Sequence, residues 1–421
     1  MKKSAAALGL LGLALATSVF ASEGKAPEGI RHLDHVFVIM MENTGYNQII
    51  NNPNAPFINK LAQSANLATN YFAIGHPSLT NYLEVVGGSN FGVRSDNNSD
   101  WHSTTCSTNL ATGFVTTDNP ASPAICPIFG TGTDAETPAT DSTNETQTQV
   151  LNNIDGIQSI PALKITTGKT IADQLFEAGR SWKSYQEDLP ISGADLVNNS
   201  DGIYSNLTDF TKFLPALNPP LTSAGIVNLY AAKHNPFVYF QSVQEGRNPE
   251  LSLANVVGFD GVNGLYGDLA SGKVPTFSFI VPNQCNDQHG RGNSTPYCNY
   301  NPVSDGTQAG LNPALIQNGD VTVQKLVTAI KSSTVWAEGN NAIVVLWDEN
   351  DYSAVPNINQ VVLIVDTNYG VSGKQSSVRY NHFSLLKSIE AALELPCLNH
   401  ACDANVHVMS DLFGSQHDNR K

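Results

Sequence analysis

Positive charge is what this chain lacks. Lys and Arg number 22 against 37 Asp and Glu, so the 421 residues carry a formal net charge of −15. A surface that negative repels phosphate backbones and excludes nucleic-acid binding through a basic patch. It repels anionic membranes too, unless a bound metal or a local cation reverses the field, which leaves room for transient contact with a membrane surface. Long apolar runs are also scarce: beyond the N-terminus no stretch approaches the roughly 20 residues that a bilayer-spanning helix needs. The six cysteines include no Cys-x-x-Cys spacing, which argues against a zinc-thiolate site. Internal repeats, heptads and charge blocks are absent as well. Apolar residues at 41% and charged residues at 14% are globular composition and exclude wholesale disorder.

What is present begins with an export signal. Lys2 and Lys3 form a positive n-region, Ala5 to Ala16 an apolar h-region, and Val19-Phe20-Ala21 a small-residue site, so cleavage is predicted after Ala21. An uncleaved anchor helix is the competing reading, and the apolar run is short for it. The mature chain is therefore expected to be secreted or periplasmic. Cys106/Cys126, Cys285/Cys298 and Cys397/Cys402 fall into sequence-local couples around loops rich in Pro, Asn or Thr. Neighbour disulfides are the simplest pairing, and they suit an oxidising compartment.

Several apolar runs read as buried strands that meet polar, metal-loving residues at one end. They are His35-Val-Phe-Val-Ile-Met40 before Glu42-Asn43, Pro236-Phe-Val-Tyr-Phe-Gln241 after His234, and Thr276-Phe-Ser-Phe-Ile-Val281 before Asp287 and His289. Ala342-Ile-Val-Val-Leu-Trp347 precedes Asp348-Glu349-Asn350-Asp351, and Gln360-Val-Val-Leu-Ile-Val-Asp366 is a further run. Continuous β-branched runs without alternation point to strands covered on both faces, as in parallel sheets. Helical patterns lie between them: Pro56 to Ala65, Thr170 to Ala178 with Thr170 as N-cap, Val323 to Ile330, and Phe383 to Leu395 closed by Pro396. The alternation predicts an α/β fold with a doubly wound, mostly parallel sheet sandwiched by helices. In such folds sites form beyond the carboxyl ends of the strands, where these acids and histidines fall. One domain is expected over 22–413, with a loop-rich insertion over 94–161 and a polar tail over 414–421. The insertion reads equally as a lid-like excursion or as a decorative surface loop.

Glu42-Asn43 offers hard oxygen ligands for a divalent cation, although a solvated turn explains a lone Glu after a strand equally simply. Asp348-Glu349-Asn350-Asp351 is more telling, because three acids in four positions repel one another unless a cation holds them. Acids at a helix N-terminus would be the alternative, but Tyr352-Ser353-Ala354-Val355-Pro356 does not read as a helix. Asp287, His289 and His382 add imidazole and carboxylate, a mixture that suits zinc or a similar transition ion better than calcium. His32, His400, His407 and His417 are read as structural. In Gly75-His76-Pro77-Ser78-Leu79-Thr80-Asn81-Tyr82, Ser78 is either an ordinary helix cap or a hydroxyl poised to attack phosphorus.

Taken in order, these segments resemble a known family. His35-Val-Phe-Val-Ile-Met-Met-Glu-Asn43, His76-Pro-Ser-Leu-Thr-Asn-Tyr82, Thr170-Ile-Ala-Asp-Gln-Leu, Ser181-Trp-Lys-Ser-Tyr-Gln-Glu187, His234-Asn-Pro-Phe237, Asn286-Asp-Gln-His289, Trp347-Asp-Glu-Asn350 and Tyr380-Asn-His-Phe-Ser-Leu-Leu386 carry the likeness. They are similar to the bacterial phosphoesterase family of secreted phospholipases C and acid phosphatases, from about residue 33 to residue 396. The resemblance implies an alkaline-phosphatase-like fold and metal-dependent hydrolysis of phosphate esters. It implies Glu42, Asn43, Asp348 and Glu349 as metal ligands, with Asp287 and His289 completing the set. Ser78, His234 and His382 would be catalytic, and His76, Asn81 and Asn97 would contact substrate. One departure stands out: the superfamily's usual nucleophile position, two residues before the Pro, is Gly75 here. Ser78, Thr80 or a metal-activated water must take that role, and Ser78 is favoured.

The mechanism expected from these residues is attack by the Ser78 alkoxide on phosphorus, activated by a divalent metal ion, zinc being favoured. The substrate is a phospholipid or a small phosphoester. Trp347-Asp-Glu-Asn-Asp-Tyr352 and Val361-Val-Leu-Ile-Val-Asp-Thr-Asn-Tyr-Gly370 look closest to the phospholipase C branch. A broad acid phosphatase is the alternative. A secreted binding protein with a structural metal, which Gly75 favours, is the third reading.

Overall fold

The computed structural model describes residues 23–91, 168–189, 230–290, 313–350, 358–370 and 372–415, with two short strands, Cys106–Thr108 and Val115–Thr117. The export signal, Asn97, Asp351, most of the 94–161 insertion and most of the tail lie outside these residues. Eight strands form the central sheet: β1 His35–Met41, β2 Asn66–Ala68, β3 Trp182–Gln186, β4 Val256–Val257, β5 Phe277–Val281, β6 Asn341–Trp347, β7 Leu363–Thr367 and β8 Gln375–Ser376. Their order across the sheet is β8-β2-β7-β6-β1-β5-β3-β4. Neighbours are parallel everywhere except at β7, which runs antiparallel to both β6 and β2. The fold is thus α/β with a mostly parallel sheet.

The unalternating apolar runs explain the centre of that sheet. Val36 to Met41 and the whole of β6 are buried, as strands must be when helices cover both faces. Each such Val, Ile or Leu contributes about 1.5–3 kcal/mol by leaving water, which is why the core sits on β1, β5 and β6. The longer helices are α1 Pro56–Ser64, α2 Ser78–Gly87, α3 Ile171–Glu177, α4 Leu265–Ser271, α5 Pro313–Ser332 and α6 His382–Ala392. α5 packs on α1 and α4, whereas α2 packs on α6 and α3. Local chemistry sets several of their ends. Thr170 and Asp173 form a capping box on α3. Ala55 has no side chain to cap α1, so Asp320 of α5 accepts from the amides of Phe57 (3.1 Å) and Ile58 (2.8 Å) instead. Gly88 ends α2 at φ +69°, a left-handed value that glycine adopts without strain.

Two expectations change. Pro236 to Gln241 is not a strand but a 3-10 turn, Pro236–Tyr239, running into a short helix, Gln241–Glu245. Pro236 lacks an amide hydrogen and its ring presets a helical φ, so a short apolar run starting at proline enters a turn as readily as a sheet. The helix expected over Val323 to Ile330 is longer, spanning Pro313–Ser332. Cys397 and Cys402 are disulfide-bonded as a local pair. Cys285 is also disulfide-bonded, while Cys298 and the Cys106/Cys126 side chains lie outside the description. Among the described residues no helix is long and apolar enough to cross a membrane.

Candidate active site

Strand register alone brings the two acidic segments together. β1 and β6 pair in parallel with Met41 opposite Trp347, so Glu42 and Asp348 leave the sheet side by side. The Asp348 amide donates to the Met41 carbonyl (3.0 Å), and the Glu42 amide donates to the Asp287 carbonyl (2.8 Å). Asn43 takes φ +47°, which Asn tolerates, and its amide donates to Asp348 Oδ1 at 3.0 Å. Its side-chain amide donates to Glu42 Oε2 at 3.0 Å. Three stretches far apart in sequence thus meet at the carboxyl ends of β1, β5 and β6.

The N-terminus of α2 faces this cluster. Ser78, its first residue, is buried and its hydroxyl lies 3.1 Å from Glu42 Oε2 and 3.3 Å from Glu349 Oε1. Thr80 turns away, donating to the Pro77 carbonyl at 2.8 Å. Geometry therefore separates the two hydroxyls that the sequence left open. Asn81 accepts from the amides of Ile74 (3.1 Å) and Gly75 (3.0 Å) and donates to the Gly75 carbonyl (2.8 Å) and Glu349 Oε2 (3.1 Å). Both donors and the acceptor oxygen are engaged, clamping the Gly75 turn to Glu349. His76 likewise holds Glu349, with Nδ1 2.9 Å from Oε2. Asn97 lies outside the described residues.

His234 stands on the other side, its Nε2 3.0 Å from Glu42 Oε1 and its Nδ1 3.3 Å from Asp287 Oδ2. The Tyr82 ring stacks on it at 5.3 Å and 8°. His289 Nδ1 is 2.9 Å from the Gly290 carbonyl, and its backbone amide donates to Asp287 Oδ1 at 2.8 Å. Glu42, His234 and His289 each place one ligand atom within 4.8 Å of the others, a spacing compatible with a metal ion. Lys233 is buried and its Nζ lies 3.2 Å from His289 Nε2. Between Asp287 and His289, Gln288 takes φ +85°. Its side chain accepts from the Trp347 indole (2.8 Å) and donates to the Ile316 carbonyl (3.2 Å), pinning this turn to β6 and α5.

His382 is present but faces elsewhere. Its Nε2 donates to the Asp348 carbonyl (2.7 Å) and its Nδ1 accepts from the Tyr71 hydroxyl (2.8 Å). Both ring nitrogens are engaged, which sets the ring behind Asp348. Burial holds its pKa down to about 4. The carboxylates are driven the other way. Burial, then Asp348 and Asp287, push Glu42 well up; burial leads for Asp287 too. Burial and the Glu349 charge bring Asp348 up to about 8. His76 is lowered by burial, but its pairing with Glu349 outweighs that and raises it.

The residues missed by sequence reasoning are Lys233, Tyr82 and Gln288. Each adjoins or belongs to a quoted motif, and a lysine directly before His234 in a lysine-poor chain was the available signal.

A family model described as the Phosphoesterase family matches residues 50–396. The chain belongs to the Phosphoesterase family. As the ordered motifs indicated, this phosphoesterase family member has relatives along most of its length. It is 24% identical over 417 residues to a phosphatidylinositol-3-phosphatase of Mycobacterium tuberculosis, covering 97% of this chain and 94% of that protein. It is 23% identical over 380 residues to an acid phosphatase of Aspergillus fumigatus, covering 90% of this chain and 59% of that one. A phosphate-repressible acid phosphatase of Penicillium chrysogenum is 25% identical over 375 residues, covering 89% and 62%. The chain thus spans about three fifths of the length of these two fungal acid phosphatases. Among solved structures, an alkaline phosphatase superfamily protein from Vibrio parahaemolyticus aligns with 12% identity and a TM-score of 0.41, covering 90% of this chain and 72% of that one.

Proposed function

We propose that this chain hydrolyses phosphoric monoesters, with Ser78 as nucleophile and a divalent cation bound at the carboxylate cluster. The observation that carries this reading is the buried Ser78 hydroxyl at the N-terminus of α2, within 3.1 Å of Glu42 and 3.3 Å of Glu349. A helix N-terminus favours the negative charge that develops on the hydroxyl and on a phosphoryl group.

The donor set fits a divalent cation. Asp348 Oδ2 is buried without a hydrogen-bond partner, and three of the acids are held above their ordinary range by burial and one another. Buried carboxylates in such numbers are stable as anions only when a cation compensates them. Glu42, Asn43, Asp348 and Glu349 would hold it. Zinc is favoured on the mixture of carboxylates with the neighbouring imidazoles of His234 and His289, which lie beside Glu42 whether or not they ligate the ion. A bound divalent cation would supply charge neutralisation and a lowered hydroxyl pKa.

The chain's own groups do the rest. Glu42 Oε2 accepts the Ser78 proton as Oγ attacks phosphorus in line. The ester P–O bond breaks, and the leaving alkoxide takes a proton from His234, whose two ring nitrogens lie on Glu42 and Asp287. Water then attacks the phosphoserine phosphorus and gives a proton to His234, the P–Oγ bond breaks, and Glu42 returns its proton to Ser78 Oγ. Asn81, His76 and His382 keep Glu349 and Asp348 in place.

The monoester preference is supported by the names of the relatives, acid phosphatases and a phosphatidylinositol-3-phosphatase. The test is a set of parallel assays on an aryl phosphate, phosphatidylinositol 3-phosphate and phosphatidylcholine, with and without chelator. We expect inorganic phosphate release that chelation abolishes and one added divalent ion restores. Phosphocholine release would establish the phospholipase C reading instead. A metal-loaded protein inert on all three would leave the structural-metal reading. We also place the mature protein outside the cytoplasm, on the predicted signal and the local disulfide at Cys397 and Cys402. The mass of the exported protein checks cleavage after Ala21.

A further inference from the structure

The motif preceding Pro236 contains a buried lysine that the mechanism above does not use. Lys233 is 3% exposed, and its Nζ lies 3.2 Å from His289 Nε2. The other nitrogen of that ring is 2.9 Å from a carbonyl, which can only accept, so Nδ1 carries the hydrogen and Nε2 offers the lone pair. An ammonium has donors only, so it occupies that lone pair. A metal ion at His289 needs the same electrons. Beside it, His234 contacts a carboxylate oxygen at both ring nitrogens, Glu42 at 3.0 Å and Asp287 at 3.3 Å.

We propose that Lys233 is a built-in cation that fills the Asp287/His289 half of the site, so that the chain binds a single divalent ion on the Glu42, Asn43, Asp348 and Glu349 half. This inference rests on the cation site described under Proposed function. It removes His289 from the wild-type ligand set and makes Lys233 a positioning residue, acting through His289 and the carboxylates of Glu42 and Asp287. The Lys233 charge favours the ionised form of both of those acids, as a neighbouring cation should. The Glu42, His234 and His289 donors whose spacing suits a metal are then a latent second site, closed by the lysine.

Zinc titration of the purified full chain by calorimetry, with elemental analysis of the loaded protein, tests this. Wild type is expected to bind one equivalent. Lys233→Met, which keeps the volume and removes the charge, is expected to bind two, and Lys233→Arg to return to one. His289→Ala should leave the single wild-type equivalent and delete the second equivalent from Lys233→Met. Should Lys233→Met fail to fold, wild type and His289→Ala still decide the matter. Two equivalents in wild type, one in folded Lys233→Met, or loss of the sole equivalent in His289→Ala overturns the inference. Zero equivalents in wild type removes it together with the cation reading on which it stands, whereas phosphate release with two equivalents removes this inference alone.

Discussion

Replacing Asp348 by Asn probes the carboxylate cluster directly. Without a cation, burial and Glu349 bring Asp348 up to about 8, against an ordinary aspartate near 3.9. Between those values the folded chain keeps a proton that the unfolded chain has released, so stability falls as pH rises, by about 1.4 kcal/mol per unit. Across the whole interval of about four units the loss is about 5–6 kcal/mol, as large as the net stability of many domains. His382 acts oppositely at acid pH, since burial holds it at about 4 in the fold while the unfolded ring titrates near 6.5. From about pH 6.5 to about pH 8 His382 no longer contributes, the raised acids and His76 (raised by its pairing with Glu349) all act in the same direction, and Asp348 accounts for about 2 kcal/mol of destabilisation within that window. Thermal melts in chelator across that window should show the wild-type Tm falling as pH rises. Asp348→Asn should show a shallower fall and the higher Tm at the alkaline end. Saturating divalent cation should reverse the order, because the variant has lost a charged ligand. A wild-type Tm that holds or climbs with pH in chelator, or a variant with an unchanged slope, refutes the reasoning.

Ser78→Ala should lower kcat on an aryl phosphate by on the order of 10³-fold while leaving the metal equivalent bound; near-wild-type turnover would hand the attack to water. His382→Gln should flatten the loss of stability between about pH 6.5 and about pH 4, where the buried neutral ring otherwise costs up to about 3 kcal/mol, and melts at acid pH read this. In Gly319→Ala the new Cβ would meet Gln288 Cγ at 2.4 Å. Because that side chain is held by Trp347 and Ile316, we expect about 1–3 kcal/mol of destabilisation despite alanine's helix preference, with weaker metal binding by calorimetry; an unchanged Tm and affinity would show that the Gln288 anchor is dispensable.

The fold was legible where burial is two-sided and the run uninterrupted. His35 to Met40 and Ala342 to Trp347 read as strands covered on both faces, as in parallel sheets, and the strands His35–Met41 and Asn341–Trp347 stand there. Trp182–Gln186 escaped notice because Lys183 and Gln186 break its apolar pattern, and Pro236–Tyr239 misled because a short apolar run has no period of its own. Within the site, acids at strand ends announced themselves by mutual repulsion. Lys233 did not, since its significance lies in the 3.2 Å to His289, a residue 56 positions away. Nor could sequence tell that His382 spends both nitrogens on Tyr71 and Asp348, or that Asn81 spends its amide on the Gly75 turn. Identity of a polar residue is written in the chain, but which of its lone pairs are already taken is settled only by packing.

Charge balance explains why these particular groups gather. Glu42, Asp287, Asp348 and Glu349 bring four negative charges when ionised, and Lys233, His234 and His76 bring at most three positive ones. One negative charge is left over in a buried place, and a phosphate monoester would add more. The raised carboxylates are the metal-free protein's answer, since holding protons is the only way to cancel charge without an ion. A single divalent cation turns the surplus from one negative to one positive, so a chain of net charge −15 can present an attractive local field to an anion. Two such ions would leave three positive charges while needing the lone pair that His289 Nε2 gives to Lys233, which is the electrostatic reason for Lys233 to stand where the second would sit.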